Sequence, residues 1–319
     1  MCFICDLKSP GAAASRPDHV WSARRAFLLA GAGAVAVPAL AQVDVGKASA
    51  LRNLVPADEL ESAANQQYGQ MMAEANAKRT LVAGNHPQVQ RLRNIARRLI
   101  PHSPQWNERA TRWKWEVNLI RSDQVNAFCM PGGKIAFYTG ILDKLQLTDD
   151  EAAMIMGHEM AHALREHARE RMGKTSATQI GASLLSSLLG LGSTGDTLLN
   201  MGGQLLTLKF SRANESEADL VGMELAARAG YDPRAGISLW KKMAAASNGA
   251  PPQWLSTHPA SGTRIQEMEA AMPQVMPLYE RAAKPPRRYD APARTGSYYL
   301  TQEPLAFWGL GTSPLLTRH

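Results

Sequence analysis

The chain has little with which to brace itself covalently. Only three cysteines occur in 319 residues. Two of them, Cys2 and Cys5, form a C-x-x-C at the very start, inside an export-like leader, where chance accounts for the spacing better than a metal or redox pair does. Cys129 is then the one thiol left after processing, so an internal disulfide is excluded. An exported protein without disulfides must draw its stability from its core and from any metal that it binds. Aromatic residues are also scarce, at 6%, yet 45% of the chain is hydrophobic, enough to bury a core and to exclude a disordered protein. The net charge of +7 is spread along the sequence. No dense Lys/Arg run with interleaved aromatics occurs, which argues against nucleic acid as a partner. The basic excess is mild and compatible with an anionic membrane surface.

Long apolar runs are missing as well. Residues 176–208 are apolar, but glycines cut them into runs of about a dozen, too short to span a bilayer. They fit a pair of buried helices or a mobile flap over a cleft. The stretch "SARRAFLLAGAGAVAVPALAQ" sets Arg24 and Arg25 before about 16 apolar residues that are rich in glycine and broken by Pro38, and it closes on "ALA". That is the pattern of an export signal, and Arg-Arg-x-Phe-Leu is similar to a twin-arginine signal. We therefore expect residues 1–41 to be an export signal, cleaved after Ala41, and the product to be periplasmic. The domain that follows is expected over 42–280. Residues 281–319, rich in proline and glycine and without periodicity, are expected to form an extended or disordered tail.

Helical spacing of Leu60, Ala64, Tyr68, Met71 and Ala75 predicts a helix over 58–79. A second is predicted over 87–99, with Pro87 in the first turn and its arginines on a solvated face. "TRWKWEVNLIRS" then alternates with period two, and "PGG" marks a turn between two apolar runs. Together they predict a small sheet, 113–120 with 134–139, ahead of a long helix.

That helix carries "HEMAH". Thr148 and Glu151 have the spacing of a capping box, and nothing from Asp149 to Met172 breaks the helix except Gly157. A glycine there costs roughly 1 kcal/mol against alanine, which suggests that something packs against the backbone at that turn. His158 and His162, four apart, project from one face and can share a metal. Glu159, at the edge of that face, can reach a metal-bound water without ligating. A catalytic zinc site needs a third protein ligand. Glu215 and Asp219 supply carboxylates four apart on a later helix, one to ligate and one to orient a ligand histidine. Glu217 competes with Glu215, but only Glu215 has an acid at i+4. His167 reads as a structural histidine on the packed helix, and the methionines around HEMAH as core filler.

Together "NAFCMPGGKIAFYTGIL", "HEMAH" and "SRANESEAD" make the chain resemble the zinc metallopeptidases related to HtpX and the CAAX prenyl endopeptidases, in particular their soluble periplasmic relatives. The resemblance covers roughly residues 60–275. It implies an α+β, mainly helical gluzincin-type fold with a small β-sheet next to the zinc-binding helix. One Zn²⁺ per chain is implied, with His158, His162 and Glu215 as ligands, Glu159 as general base and Asp219 as the orienting carboxylate. The strand near 134–139 would border the cleft and pair with substrate. "STHPASGTRIQEME" is similar to a segment of the periplasmic relatives that brings His258 towards the zinc with Arg264 nearby. There His258 either ligates and holds the enzyme latent or stabilises the oxyanion; without the resemblance, His258 and Pro259 read as a turn before a helix at 261–272. The implied activity is endopeptidase cleavage of unfolded or misassembled cell-envelope proteins, with a peripheral membrane or outer-membrane assembly contact. The alternative is a non-enzymatic zinc-binding chaperone or adaptor with a latent site.

Overall fold

The computed structural model describes residues 43–188, 205, 208–246, 253–258 and 262–289. The expected export signal at 1–41, most of the flap expected within 176–208, and the tail from 290 onward lie outside the described residues. So do the side chains of 179–188.

Helix α1 (Ala57–Ala77) buries Leu60, Ala64, Tyr68 and Ala75, close to the predicted span. Helix α2 (Pro87–Leu99) begins on a first-turn proline as expected, and Val89, Leu92, Ile95, Ala96 and Leu99 face the core. Three short strands follow: β1 (Glu116–Ile120), β2 (Ala127–Met130) and β3 (Lys134–Tyr138). Their order is β1-β3-β2, with β3 parallel to β1 and antiparallel to β2. The β2–β3 turn is made by Gly132 and Gly133 at φ of 82° and 78°, a region that glycine enters without a steric penalty. A Cβ at Gly133 would also lie 2.7 Å from the Trp115 ring. The sheet thus differs from expectation in one respect. β3, over the stretch expected to receive substrate, is paired on both sides, and β1 and β2 are the edge strands.

After the short α3 (Thr139–Lys144) comes the helix of HEMAH, α4 (Asp149–Leu164). The predicted capping box is present: the Glu151 amide donates to Thr148 Oγ1, and the Thr148 amide donates to Glu151 Oε2 at 2.9 Å. The first turn is fixed further by Arg91, which departs from the expected solvated face: it is buried and donates to Asp149 Oδ1 at 2.5 Å. The helix stops earlier than its sequence pattern suggests. Glu166 adopts φ of 60°, and α5 (His167–Leu188) starts afresh in a new direction. A non-glycine residue pays about 1–2 kcal/mol in that region. Here Arg169 Nη1, 2.7 Å away, and Arg52, 3.3 Å away, hold the Glu166 carboxylate.

Helix α6 (Arg212–Arg228) starts with a second capping box, Ser211 with Asn214, and crosses α4. A Cβ on Gly157 would lie 2.7 Å from the Gly222 carbonyl oxygen, and one on Gly222 would lie 2.6 Å from the His158 nitrogen. The partner that Gly157 anticipates is therefore the backbone of α6. Helices α7 (Ala235–Ala246), α8 (Gln253–Thr257) and α9 (Gly262–Arg281) complete the fold. Helix α9 runs past its expected end, through Pro273 and Pro277, because Val275 and Leu278 bury against the body. Beyond it the chain stays docked: Arg288 pairs with Asp150 and donates to the Gly230 carbonyl at 2.9 Å, and the Tyr289 amide donates to Asp149 Oδ2 at 3.0 Å. No helix among the described residues is long and apolar enough to cross a membrane.

Because α4 and α6 meet at two bare backbones, Gly222→Ala should lower unfolding free energy by about 1–3 kcal/mol, the range for overpacking a core. Urea denaturation measures this, and a midpoint equal to wild type would contradict the close approach.

Candidate metal centre

Side chains from three segments converge at the α4–α6 crossing. His158 and His162 come from the middle and end of α4, Glu215 from the first turn of α6, and His258 from the residue after α8. One donor atom from each of the four can be chosen so that all lie within 4.8 Å of one another. His158 Nε2 and His162 Nε2 are 3.1 Å apart, and each is 3.6 Å from a different Glu215 oxygen. Glu159 faces the same space, its Oε1 3.7 Å from His258 Nε2. All five are buried.

Around this cluster the hydrogen bonds are directional. His158 Nδ1 lies 3.0 Å from Asp219 Oδ1. An ionised carboxylate can only accept, so the imidazole carries its proton on Nδ1 and turns a lone pair on Nε2 towards the cluster. Arg264 holds two acids of α6, Asp219 and Glu215. It donates to Asp219 Oδ2 from Nε at 2.5 Å and to Oδ1 from Nη2 at 2.7 Å, and its Nη1 lies 2.9 Å from Glu215 Oε2. The guanidinium also stacks 4.0 Å from the Trp240 ring centroid. Arg264 thus touches the acids rather than the open side of the site. Glu217, the rival to Glu215, points elsewhere and pairs with Arg165 and His167.

Two participants had no sequence signal. Trp254 donates from its indole Nε1 to Glu159 Oε1 at 2.7 Å and stacks on His258 with ring centroids 4.7 Å apart. Phe210 stacks on His162 at 4.1 Å. His167, read from the sequence as a structural histidine on the packed helix, is buried. The turn at Glu166 also brings its Nδ1 to 2.9 Å from His162 Nδ1.

Burial governs the proton affinities. It pulls His158 below the ordinary imidazole range and His162 and His258 well below it, so all three favour the neutral form that offers a lone pair. The Asp219 hydrogen bond partly offsets this at His158. Burial pushes Glu159 well above the usual carboxylate range, against the Trp254 hydrogen bond. It pushes Glu215 up to about 8, against Arg264. At Asp219 burial is outweighed by the Arg264 charge and the His158 hydrogen bond, and the group is held low.

The donor set fits a divalent metal. Glu215 Oε1 and His258 Nε2 are buried with no hydrogen-bond partner, a costly state unless another ligand satisfies them. Imidazole nitrogens and a carboxylate suit zinc and its neighbours in the first transition row.

A cleft opens beside the cluster and is lined by Glu159, His162 and His258 together with residues 126–131 of β2 and its flanks. Much of the lining is apolar, with Leu60, Trp113, Phe128, Met130, Leu208 and Phe210. Charged groups along it are already paired, Glu61 with Arg109 and Glu166 with Arg169. Cys129, a free thiol, also lines the cleft, and burial raises its pKa well above the ordinary value.

Peptidase family M48 matches residues 85–272, more than half of the chain. The mitochondrial metalloendopeptidase OMA1 of Schizosaccharomyces pombe is 33% identical over 225 residues, covering 70% of this chain and 64% of that protein. The metalloprotease LoiP of Escherichia coli is 29% identical over 206 residues, covering 64% of this chain and 78% of LoiP. The beta-barrel assembly-enhancing protease of Yersinia pestis is 29% identical over 185 residues, covering 54% and 37%. The chain therefore spans less than two thirds of the length of the first and third of these relatives.

Arg264→Gln removes the one cation shown between Asp219 and Glu215. Stranding buried charges in this way costs about 3–5 kcal/mol, so the variant should unfold at markedly lower denaturant. Arg264→Lys should recover only part of the loss, since a point charge cannot bridge both acids as the fork does. Equal midpoints for Gln and wild type would show that the acids do not need the guanidinium.

Proposed function

This chain belongs to peptidase family M48, and from that premise we propose that it is a zinc-dependent endopeptidase acting on unfolded or misassembled proteins of the cell envelope. The observation that carries the reading is the convergence of His158, His162 and Glu215 in one buried cluster, with the Glu159 carboxylate facing the same space. In this proposal those three hold one zinc ion. When bound, zinc supplies Lewis acidity, polarising a substrate carbonyl and lowering the pKa of water.

The chain's own residues do the rest. Glu159 accepts the proton of the attacking water and passes it to the leaving amine. The Trp254 indole pins Oε1, which leaves Oε2 for the water. Asp219 orients His158 through Nδ1, and Arg264 is a positioning residue that holds Asp219 and Glu215 in register. The edge of β2 is suited to add an extended substrate backbone as a further strand. The apolar lining of the cleft favours uncharged segments, which unfolded proteins expose and folded ones bury. The leader-like residues 1–41 and the likeness to two bacterial proteases, one named for enhancing beta-barrel assembly, support a periplasmic site near outer-membrane assembly.

A second reading is a zinc-binding adaptor with a latent site. What favours it is His258, whose Nε2 belongs to the donor cluster and stands where a fourth ligand would close the open position.

Casein cleavage by the full chain, loaded with zinc, separates the readings when run beside Glu159→Gln at equal zinc content. The enzyme reading expects wild-type cleavage and a loss of at least about a hundredfold in the variant, the low end for a general base. If neither cuts although both hold zinc, the endopeptidase reading fails for the isolated protein. His258→Ala then decides: recovered cleavage means latency, and none means an adaptor.

A further inference from the structure

We infer that His167 and Glu217 form a second orienting relay, acting on His162 as Asp219 acts on His158. The inference rests on the metal-site reading above and extends it to two residues outside the donor cluster. His167 is buried at the first position of α5, and its ring sits edge-on to that of His162, centroids 5.0 Å apart at 76°. The two Nδ1 atoms are 2.9 Å apart. On its other side, His167 Nε2 is buried without a hydrogen bond and faces Glu217 Oε2 at an ion-pair distance of 3.5 Å, and Arg165 pairs with the same carboxylate.

Proton arithmetic then sets the direction of the chain. A neutral imidazole carries one N–H. If His162 gives its Nε2 lone pair to a metal, its proton must sit on Nδ1, and it points at His167. His167 Nδ1 must then be the acceptor, which leaves its own proton on Nε2, facing Glu217. Glu217, ionised and held by Arg165, closes the series. Each step allows one tautomer only, so the relay fixes the identity of the ligating nitrogen as well as the ring's orientation. The left-handed turn at Glu166 makes this possible, because it redirects the chain between His162 and His167. Glu217, which looks like a failed competitor of Glu215, becomes the anchor of the second ligand.

The test is zinc affinity of the full chain, measured by competition with a chromophoric chelator. His167→Leu removes the acceptor at similar volume; His167→Asn keeps one, since its Oδ1 can take the place of Nδ1. We expect Leu to weaken zinc binding roughly 10- to 100-fold, the range for loss of a partner that orients a ligand, and Asn to stay within a few-fold of wild type. Thermal midpoints of the zinc-free proteins separate this from a packing defect, which would lower the midpoints and leave affinities alike. Equal zinc affinity in Leu and wild type, or equal weakening in Leu and Asn, overturns the relay. Should the Leu variant fail to fold, ¹⁵N resonances of the zinc-loaded wild type decide. The relay requires His162 protonated on Nδ1 and His167 on Nε2, and the reverse tautomer at His167 refutes it. Wild-type protein that binds no zinc would instead sink the metal-site reading on which the inference depends.

Discussion

The meeting of two helix backbones at Gly157 and Gly222 is the contact on which the site depends. With a Cβ at either position α4 and α6 would stand farther apart, and the histidines of one helix would not face the carboxylates of the other. Everything chemical follows from that approach. The i, i+4 spacing on α4 aims two imidazoles at one point, and the same spacing on α6 supplies one carboxylate at that point and one behind it. Gly157 costs helix stability locally, and the fold recovers it by burying nearly the whole of α4, including its polar residues.

Burying so many ionisable groups together is expensive, and the surroundings show how it is managed. Arg264 neutralises Asp219 and lies against Glu215, while burial keeps His158, His162 and His258 neutral. Among the buried atoms without a hydrogen-bond partner, Glu215 Oε1 and His258 Nε2 belong to residues of the donor cluster. An arrangement tuned for stability alone would satisfy those atoms or replace them with apolar ones. Their persistence is the physical argument that the cluster is built to bind something positive.

Much of this was legible in the sequence, for reasons of spacing. The capping box at Thr148, the pair in HEMAH, the Glu215/Asp219 pair and the packed glycine at 157 are local patterns read on one helix at a time. What escaped was long-range or had no code. Trp254 reaches Glu159 across 95 residues of chain, and an indole in "PPQWLS" carries no mark of that role. The turn at Glu166 is left-handed without glycine, held by Arg169 one turn on and by the distant Arg52, so the helix pattern runs straight through it. That hidden turn is why His167 reads as packing in sequence and stands beside His162 in space. The strand order escaped too. Periodicity identifies β3 but does not tell that it lies between β1 and β2, and so the edge strand that lines the cleft is Ala127–Met130.

The central claim is that His158, His162 and Glu215 together hold one zinc ion. X-ray absorption at the zinc edge of the purified full chain tests it most directly. The account predicts one zinc per chain in a shell of nitrogen and oxygen at about 2.0–2.2 Å, with the multiple scattering of at least two imidazoles and no sulfur. A shell containing sulfur, which would point to Cys129 or the two leader cysteines, or a protein that retains no zinc, would contradict it.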